Sequence, residues 1–179
     1  FSCRREQDMN LTRIFSLIAV GLLCGCAASV QHSSSELTPL SIPAESAKRV
    51  VLIVVGSDTS TQSADWEAFK GEWRSAMASA AAANGMTYVS REEIPPAQSE
   101  TGNLVVIDVH DYRYLTPAAR FGFGIMTGNA YVDATARFTD LTTGAEYGER
   151  TYNTSSSAWQ GVFSAVTDKQ VRAICDEVI

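Results

Sequence analysis

One uninterrupted apolar stretch limits the folds open to this chain more than any other feature. Residues 49–55 have the sequence RVVLIVV, in which one arginine precedes six aliphatic side chains, most of them β-branched. Such a stretch is typical of a strand that is covered on both faces, because neither face carries polar side chains for contact with water. The chain is therefore expected to fold in layers around this strand.

Two amphipathic helices are expected to provide a covering layer. The first is predicted from a stripe of apolar side chains at helical spacing that ends at Asn84-Gly85 and consists of Trp66, Phe69, Trp73, Met77 and Ala80. The second is predicted over Asp168–Val178, with Thr167 and Gln170 forming a capping box at its start. Its apolar face consists of Val171, Ile174, Cys175 and Val178.

The remaining strand signals predict a sheet that is mainly antiparallel. Residues 104–115 form a long β-branched and aromatic segment, and residues 131–140 alternate between apolar and polar side chains. A turn at 140–144 returns the chain as a hairpin partner over 145–154. Because the two helices can bury their stripes only against this sheet, the predicted fold class is α+β, with a mainly antiparallel sheet and two packing helices.

The N-terminal segment indicates export. Met9 opens a segment in which Arg13 precedes an apolar run over residues 14–23. This run is about half as long as the roughly 20 residues that a bilayer-spanning helix needs, so it is typical of a signal peptide. Met9 is the expected start of translation, and the charged residues 1–8 are interpreted as upstream sequence.

The residues after this run indicate lipid attachment. Leu23-Cys24-Gly25-Cys26 resembles the bacterial lipobox, in which small residues precede a cysteine that is lipidated and becomes the first residue after cleavage. Cys26 is the predicted lipidation site, because the small Gly25 precedes it. Cys24 is the alternative, but the bulky Leu23 would precede it. Ala27, in place of an aspartate, implies by resemblance to lipoproteins of Gram-negative bacteria that the protein reaches the outer membrane and faces the periplasm.

The sequence is thus divided into three regions. Residues 1–25 comprise the upstream residues and the signal peptide, residues 26–48 a lipidated flexible linker, and residues 49–179 a single α+β domain. The linker is rich in serine and contains Pro39 and Pro43. A flexible chain of this length spans about 25 Å, which would lift a small domain off the lipid headgroups.

Charge and cysteine content restrict the partners and the crosslinks. With 14 Lys and Arg against 20 Asp and Glu, the net charge is −6, which leaves no basic field to hold nucleic acid. Of the four cysteines, Cys3 and Cys24 are expected to leave with the signal peptide and Cys26 to carry lipid. Only Cys175 remains, so no intramolecular disulfide is expected in the mature chain. A buried apolar thiol is favoured for Cys175 over a reactive or intermolecular one.

The order of these parts resembles a group of uncharacterised lipoproteins of the Gram-negative type that carry a domain of unknown function. The resemblance rests on the lipobox, the polar linker, the strand at 49–55, one amphipathic helix, the glycine-rich FGFGIMTG segment at 121–128, the strand that ends in Asp140-Leu-Thr-Thr-Gly144, and a terminal helix. Because that group has no assigned activity, the resemblance implies no catalytic residues.

One predicted strand face offers the best arrangement of polar side chains for chemistry. Alternation along 104–115 places together Asp108, His110, Tyr112 and Tyr114. His110 is the only histidine in 49–179, no G-x-S-x-G pattern is present, and Asp108 with His110 gives at most two metal ligands. We therefore predict no catalytic residues, no metal and no cofactor. A small hydrolase or ligand-binding domain that uses this face is the alternative.

The glycine-rich segment Phe121–Gly128 is the predicted interaction loop. It is superficially similar to a dinucleotide-binding fingerprint, but Thr127 takes the place of the third glycine and a strand follows where a phosphate-binding helix should begin. Four side chains are unusually apolar for a solvated loop, and they are the predicted contact residues: Phe121, Phe123, Ile125 and Met126.

The sequence therefore predicts a periplasmic lipoprotein, anchored in the outer membrane, that acts as a non-enzymatic envelope adaptor through protein–protein contacts. Its expected partners are the membrane, through the N-terminal lipid, and an envelope protein. Self-association through the Phe121–Gly128 loop into a homo-oligomer is a further alternative.

Overall fold

The computed structural model describes residues 29–31, 40–96, 100–116, 130–155 and 167–179. The strands are β1 (Ser29–Gln31), β2 (Arg49–Gly56), β3 (Thr87–Ser90), β4 (Asn103–Arg113), β5 (Tyr131–Asp140) and β6 (Glu146–Ser155). The helices are α1 (Ala44–Ala47), α2 (Asp58–Thr61), α3 (Trp66–Ala83) and α4 (Thr167–Val178). Within these ranges, none of the helices has the length and hydropathy that a membrane-crossing segment requires.

The strands form one mixed sheet. Their order is β1-β6-β5-β4-β2-β3, and β2 runs parallel to both of its neighbours, whereas the other three pairs are antiparallel. The predicted α+β class with a mainly antiparallel sheet is confirmed. The parallel pairs around β2 were not predicted. The β2–β3 pair follows from its connection, because α3 carries the chain from β2 to β3, and a crossover helix returns a strand in the parallel direction.

The main core lies between the sheet and the two long helices. Phe69, Trp73 and Met77 of α3 are fully buried, as their helical spacing predicted. α4 contributes Val171 and Ile174 to the same cluster, which rests on apolar side chains from β2, β4, β5 and β6. Each large apolar side chain removed from water in this way stabilises the fold by about 1.5–3 kcal/mol.

The opposite face of the sheet, here called the outer face, is apolar at one corner. A second cluster of buried side chains lies there and consists of Val51, Ile53, Leu104, Val106 and Leu141. β2 is therefore buried on both faces over Val50–Ile53, which confirms the prediction drawn from its apolar sequence for these residues, whereas Val55 near the end of the strand is exposed. The polar part of the outer face begins at Asp108 of β4, which is partly exposed.

The start of α4 differs from the prediction. Thr167 and Gln170 do not form a capping box. The Thr167 hydroxyl accepts a hydrogen bond from the Leu115 amide at 2.8 Å, and the Gln170 side-chain amide donates to the Ala130 carbonyl at 3.0 Å. Both side chains are fully buried. They therefore bond to residues next to β4 and β5, whereas the side chains at a solvated helix end would bond to the first turn of their own helix.

Part of the predicted linker belongs to the folded domain. Residues 29–31 form β1, which pairs antiparallel with the last residues of β6. Farther along, Leu40 and Ile42 pack against the main core, and α1 lies just before β2. Gly148 of β6 allows this close approach, because a β-carbon there would lie 2.9 Å from Leu40 Cδ2. Folded structure therefore begins before residue 49.

Candidate functional site

A β-bulge in β4 divides the polar face that the sequence predicted. The pairing with β5 shifts register between Val109 and Asp111, so that His110 is an extra residue on β4. Because side chains alternate along a strand, one extra residue moves every later side chain to the other face. Tyr112 consequently pairs with the buried Val132 and faces the helices. The four predicted residues therefore do not share one face: Asp108 and His110 lie on the outer face, whereas Tyr112 and Tyr114 face the helices.

The segment before α3 holds the bulge in place. The Ser57 amide donates a hydrogen bond to the Val109 carbonyl at 3.0 Å. The hydroxyl oxygens of Ser57 and Ser60 lie 3.1 Å and 3.4 Å from the His110 carbonyl oxygen. Ser57 also caps α2, since its side chain accepts from the Ser60 amide. The bulge is thus attached to a short helix by several bonds and forms a fixed part of the site.

The tyrosines after the bulge belong to the helix-covered face. The Tyr112 ring stacks on Phe69 with centroids 4.1 Å apart and an interplanar angle of 6°. Its hydroxyl donates to Asp65 Oδ1 at 2.7 Å, and burial together with this bond raises the pKa of Tyr112 to about 12. The Tyr114 hydroxyl donates to Glu72 Oε1 at 3.3 Å. These contacts attach the end of β4 to α3, so both tyrosines have a packing role.

The side chains that remain on the outer face form an open polar surface. His110 Nδ1 lies 3.5 Å from Asp133 Oδ1, and these two side chains are 47% and 37% exposed. The Tyr131 hydroxyl donates to Asp111 Oδ2 at 2.9 Å, and this bond raises the pKa of Tyr131. We call this group of four residues, from β4 and β5, the outer polar surface. It presents carboxylates and one imidazole to solvent on rigid strands.

The sequence missed two members of this surface. Asp133 and Tyr131 are alternate residues of β5. Nothing in the sequence distinguishes them from the other outward-facing residues of that strand. Only the register of β4 against β5 places them beside His110 and Asp111. In the part of the chain that the structure describes, no group of three or more His, Cys, Asp or Glu side chains could hold a metal ion.

One end of the sheet brings several strand ends together. Arg113 at the end of β4 pairs with Tyr131 at the start of β5. Tyr131 pairs in turn with Ser155 at the end of β6, and Ser155 pairs with Ser29 at the start of β1. We call this row of four paired positions the Ser29 end of the sheet. The opposite end carries the turn between β5 and β6.

The other predicted site residues have mixed outcomes. Cys175 is fully buried, and burial raises the pKa of its thiol, as expected for a packing residue. Cys26 lies outside the described residues. The same holds for the predicted interaction residues Phe121, Phe123, Ile125 and Met126.

Comparisons with known proteins gave structural neighbours only. No family model matches the chain, and no curated protein matches it. Two structures of the PelC dodecamer from Paraburkholderia phytofirmans are similar, each at 15% identity and a TM-score of 0.48, over 83% of this chain and 95% of that chain. A Xanthomonas campestris protein of the DUF330 family, a domain of unknown function, is similar at 10% identity and a TM-score of 0.44, over 85% of this chain and 90% of that chain.

Proposed function

We propose that this protein is a lipid-anchored lipoprotein of the outer membrane whose α+β domain, on the periplasmic side, acts as a non-enzymatic envelope adaptor. The attachment rests on the apolar run at 14–23 and on the Leu23-Cys24-Gly25-Cys26 motif, with Cys26 as the lipidated residue. An acidic domain gains nothing from an anionic lipid surface, so the acyl chains must supply the attachment. Several chains on one cysteine make a durable anchor.

The observation that carries the adaptor function is the outer polar surface. α3 and α4 cover one face of the sheet, whereas the other face presents His110, Asp111, Asp133 and Tyr131 to solvent. Side chains on paired strands are held in fixed positions, which favours a specific contact because little side-chain and backbone freedom is lost on binding. Asp111 and Asp133 give this surface two carboxylates, so a partner with basic side chains at matching positions would complement them.

A binding role fits His110 better than a catalytic role. His110 is the only imidazole in 49–179, and nearly half of its side chain is open to water. General acid–base groups depend on a position that excludes bulk water and on a reacting atom within hydrogen-bond reach. An imidazole on an open sheet surface is instead suited to contacts with another protein.

The attachment is tested by metabolic labelling with a palmitate analogue. We expect Cys26→Ser to lose the label and Cys24→Ser to keep it. The two variants are a matched pair, because each removes one thiol from the same motif. Comparison of their labelling shows which of the two cysteines carries the lipid. Loss of label in Cys24→Ser alone would move the anchor to Cys24, and labelling of both variants would refute lipidation at this motif.

The adaptor function is tested by a photo-crosslinking amino acid placed at residue 110 in the lipidated protein in its own envelope. Residue 75, an exposed position on the solvent side of α3, is the matched control. We expect a discrete crosslinked product at 110 and none at 75. A product with twice the mass of this chain would identify a second copy as the partner. Equal or absent products at both positions would refute the assignment of the contact to the outer polar surface.

A further inference from the structure

The predicted lipid attachment site stands next to the folded chain. β1 begins at Ser29, three residues after Cys26. An extended chain spans at most about 3.3–3.6 Å per residue, so the Cα atoms of these two residues are at most about 11 Å apart. This is less than half of the roughly 25 Å that a flexible linker of residues 27–48 would span.

The pairing of β1 fixes which part of the domain is near that site. Ser29 pairs with Ser155, and Gln31 pairs with Asn153, so β1 runs away from the Ser29 end of the sheet along the edge of β6. Arg113 and Tyr131 lie at the same end through the pairing of β4, β5 and β6. A lipid on Cys26 would therefore be held beside the Ser29 end, and the rest of the segment leads away from it.

We propose that the Ser29 end of the sheet faces the lipid surface and that the pairing of β1 with β6 holds the domain in this orientation. The inference rests on the proposed lipidation of Cys26. The acyl chains keep Cys26 at the membrane interface, and the short segment before Ser29 then keeps Ser29, the first of the paired strand ends, within about 11 Å of it. The tether imposes this proximity, so no electrostatic attraction is required.

One further feature agrees with a lipid surface at this end. Tyr131 lies there, and tyrosine is enriched where proteins meet the membrane–water interface. The turn between β5 and β6 lies far from the membrane in this orientation, because the 10 residues of β5 extend over about 33 Å.

The orientation is tested with the processed, lipidated protein in vesicles of phosphatidylethanolamine and phosphatidylglycerol that contain a lipid with a nitroxide at the headgroup. A fluorophore is attached at Arg113→Cys, at the Ser29 end, or at Thr142→Cys, in the distant turn. Both positions are exposed, and the protein without an added cysteine controls for labelling of the buried Cys175. We expect the nitroxide to quench the fluorophore at 113 and to leave the one at 142 unquenched.

The role of β1 is tested by inserting the same ten-residue Gly/Ser segment at either end of that strand. An insertion between Ala28 and Ser29 lengthens the tether, so quenching at 113 should be lost. An insertion directly after Gln31 lengthens the chain behind the paired strand, so quenching at 113 should be kept. If residues 27–48 were one free linker, the two insertions would have equal effects.

The outcomes separate this proposal from the proposed lipidation. Equal quenching at 113 and 142, or equal effects of the two insertions, in protein that carries lipid and sediments with the vesicles would overturn the orientation alone. Protein that carries no lipid and stays in the supernatant would instead refute the proposed function.

Discussion

Replacement of Tyr112 by alanine tests whether the bulge turns this side chain toward the helices. The change removes the stack on Phe69 and the hydrogen bond to Asp65. Truncation of a buried aromatic side chain costs about 3–5 kcal/mol, and the stacked geometry accounts for about 0.5–1.5 kcal/mol of such a loss. Because Tyr112 is only partly buried, we expect its truncation to lower the free energy of unfolding by about 2–3 kcal/mol.

Tyr131→Ala is the matched control, because Tyr131 stands on the neighbouring strand and also bonds a carboxylate, but on the outer face. Its loss should cost less than about 1 kcal/mol, since Tyr131, unlike Tyr112, does not pack against the main core. Urea denaturation followed by circular dichroism measures both variants. At a domain size near 130 residues, the Tyr112 change should also lower Tm by about 10 °C. Equal losses for the two tyrosines would refute the placement of Tyr112 on the helix-covered face.

The remaining predictions concern pH, packing, thiol reactivity and catalysis. The pKa of Tyr112 is raised from 10.0 to about 12 in the folded state. The wild type should therefore keep its whole stability advantage over Tyr112→Phe below pH 10 and lose it as the pH rises towards 12, as measured by urea denaturation at a series of pH values. Gly56→Ala should destabilise the fold by about 1–3 kcal/mol in the same urea assay, because a β-carbon there would lie 2.7 Å from a Trp66 ring atom. Gly71→Ala is the matched control. A β-carbon there would have nothing within 4 Å, so this change should stabilise α3 by about 0.5–1 kcal/mol. Cys175 should react with a thiol reagent only after denaturation, because burial raises the pKa of its thiol, and rapid reaction of the native protein would contradict this. His110→Gln keeps a polar side chain for protein contacts but removes the titratable imidazole, so it should still complement a deletion of the gene with an unchanged circular dichroism spectrum, and loss of complementation would favour a catalytic role.

The layered fold could be predicted because it depends on periodicity. The apolar side chains of residues 50–53 fill two clusters on opposite faces of the sheet, and the stripe on α3 faces one of them. Helix and strand spacings specify such faces directly, since each residue's direction follows from the regular geometry. The parallel pairs around β2 required knowledge of strand order, which periodicity does not contain.

The candidate site could not be predicted because it depends on one irregular residue. His110 adds a position to β4 without a glycine or any other local signal that would mark a bulge. The bonds that hold the bulge come from Ser57 and Ser60, about fifty residues earlier in the chain. Such distant contacts override alternation, and they separate Tyr112 from His110.

The start of α4 shows the same limitation. Thr167 and Gln170 have the spacing of a capping box, but their partners are Leu115 and Ala130. A local motif specifies which hydrogen bonds are within reach, whereas the tertiary fold decides which of them form. β1 was not predicted for a related reason. Its three residues carry no strand pattern of their own and form a strand only by pairing with the edge of β6.

The mass of the N-terminal peptide of the membrane-extracted mature protein tests the central proposal most directly. The account predicts a chain that begins at Cys26 and carries a diacylglyceryl group on the sulfur. A chain that begins at Cys24, or one in which Cys26 is internal and unmodified, would contradict the anchor and the membrane-facing orientation derived from it.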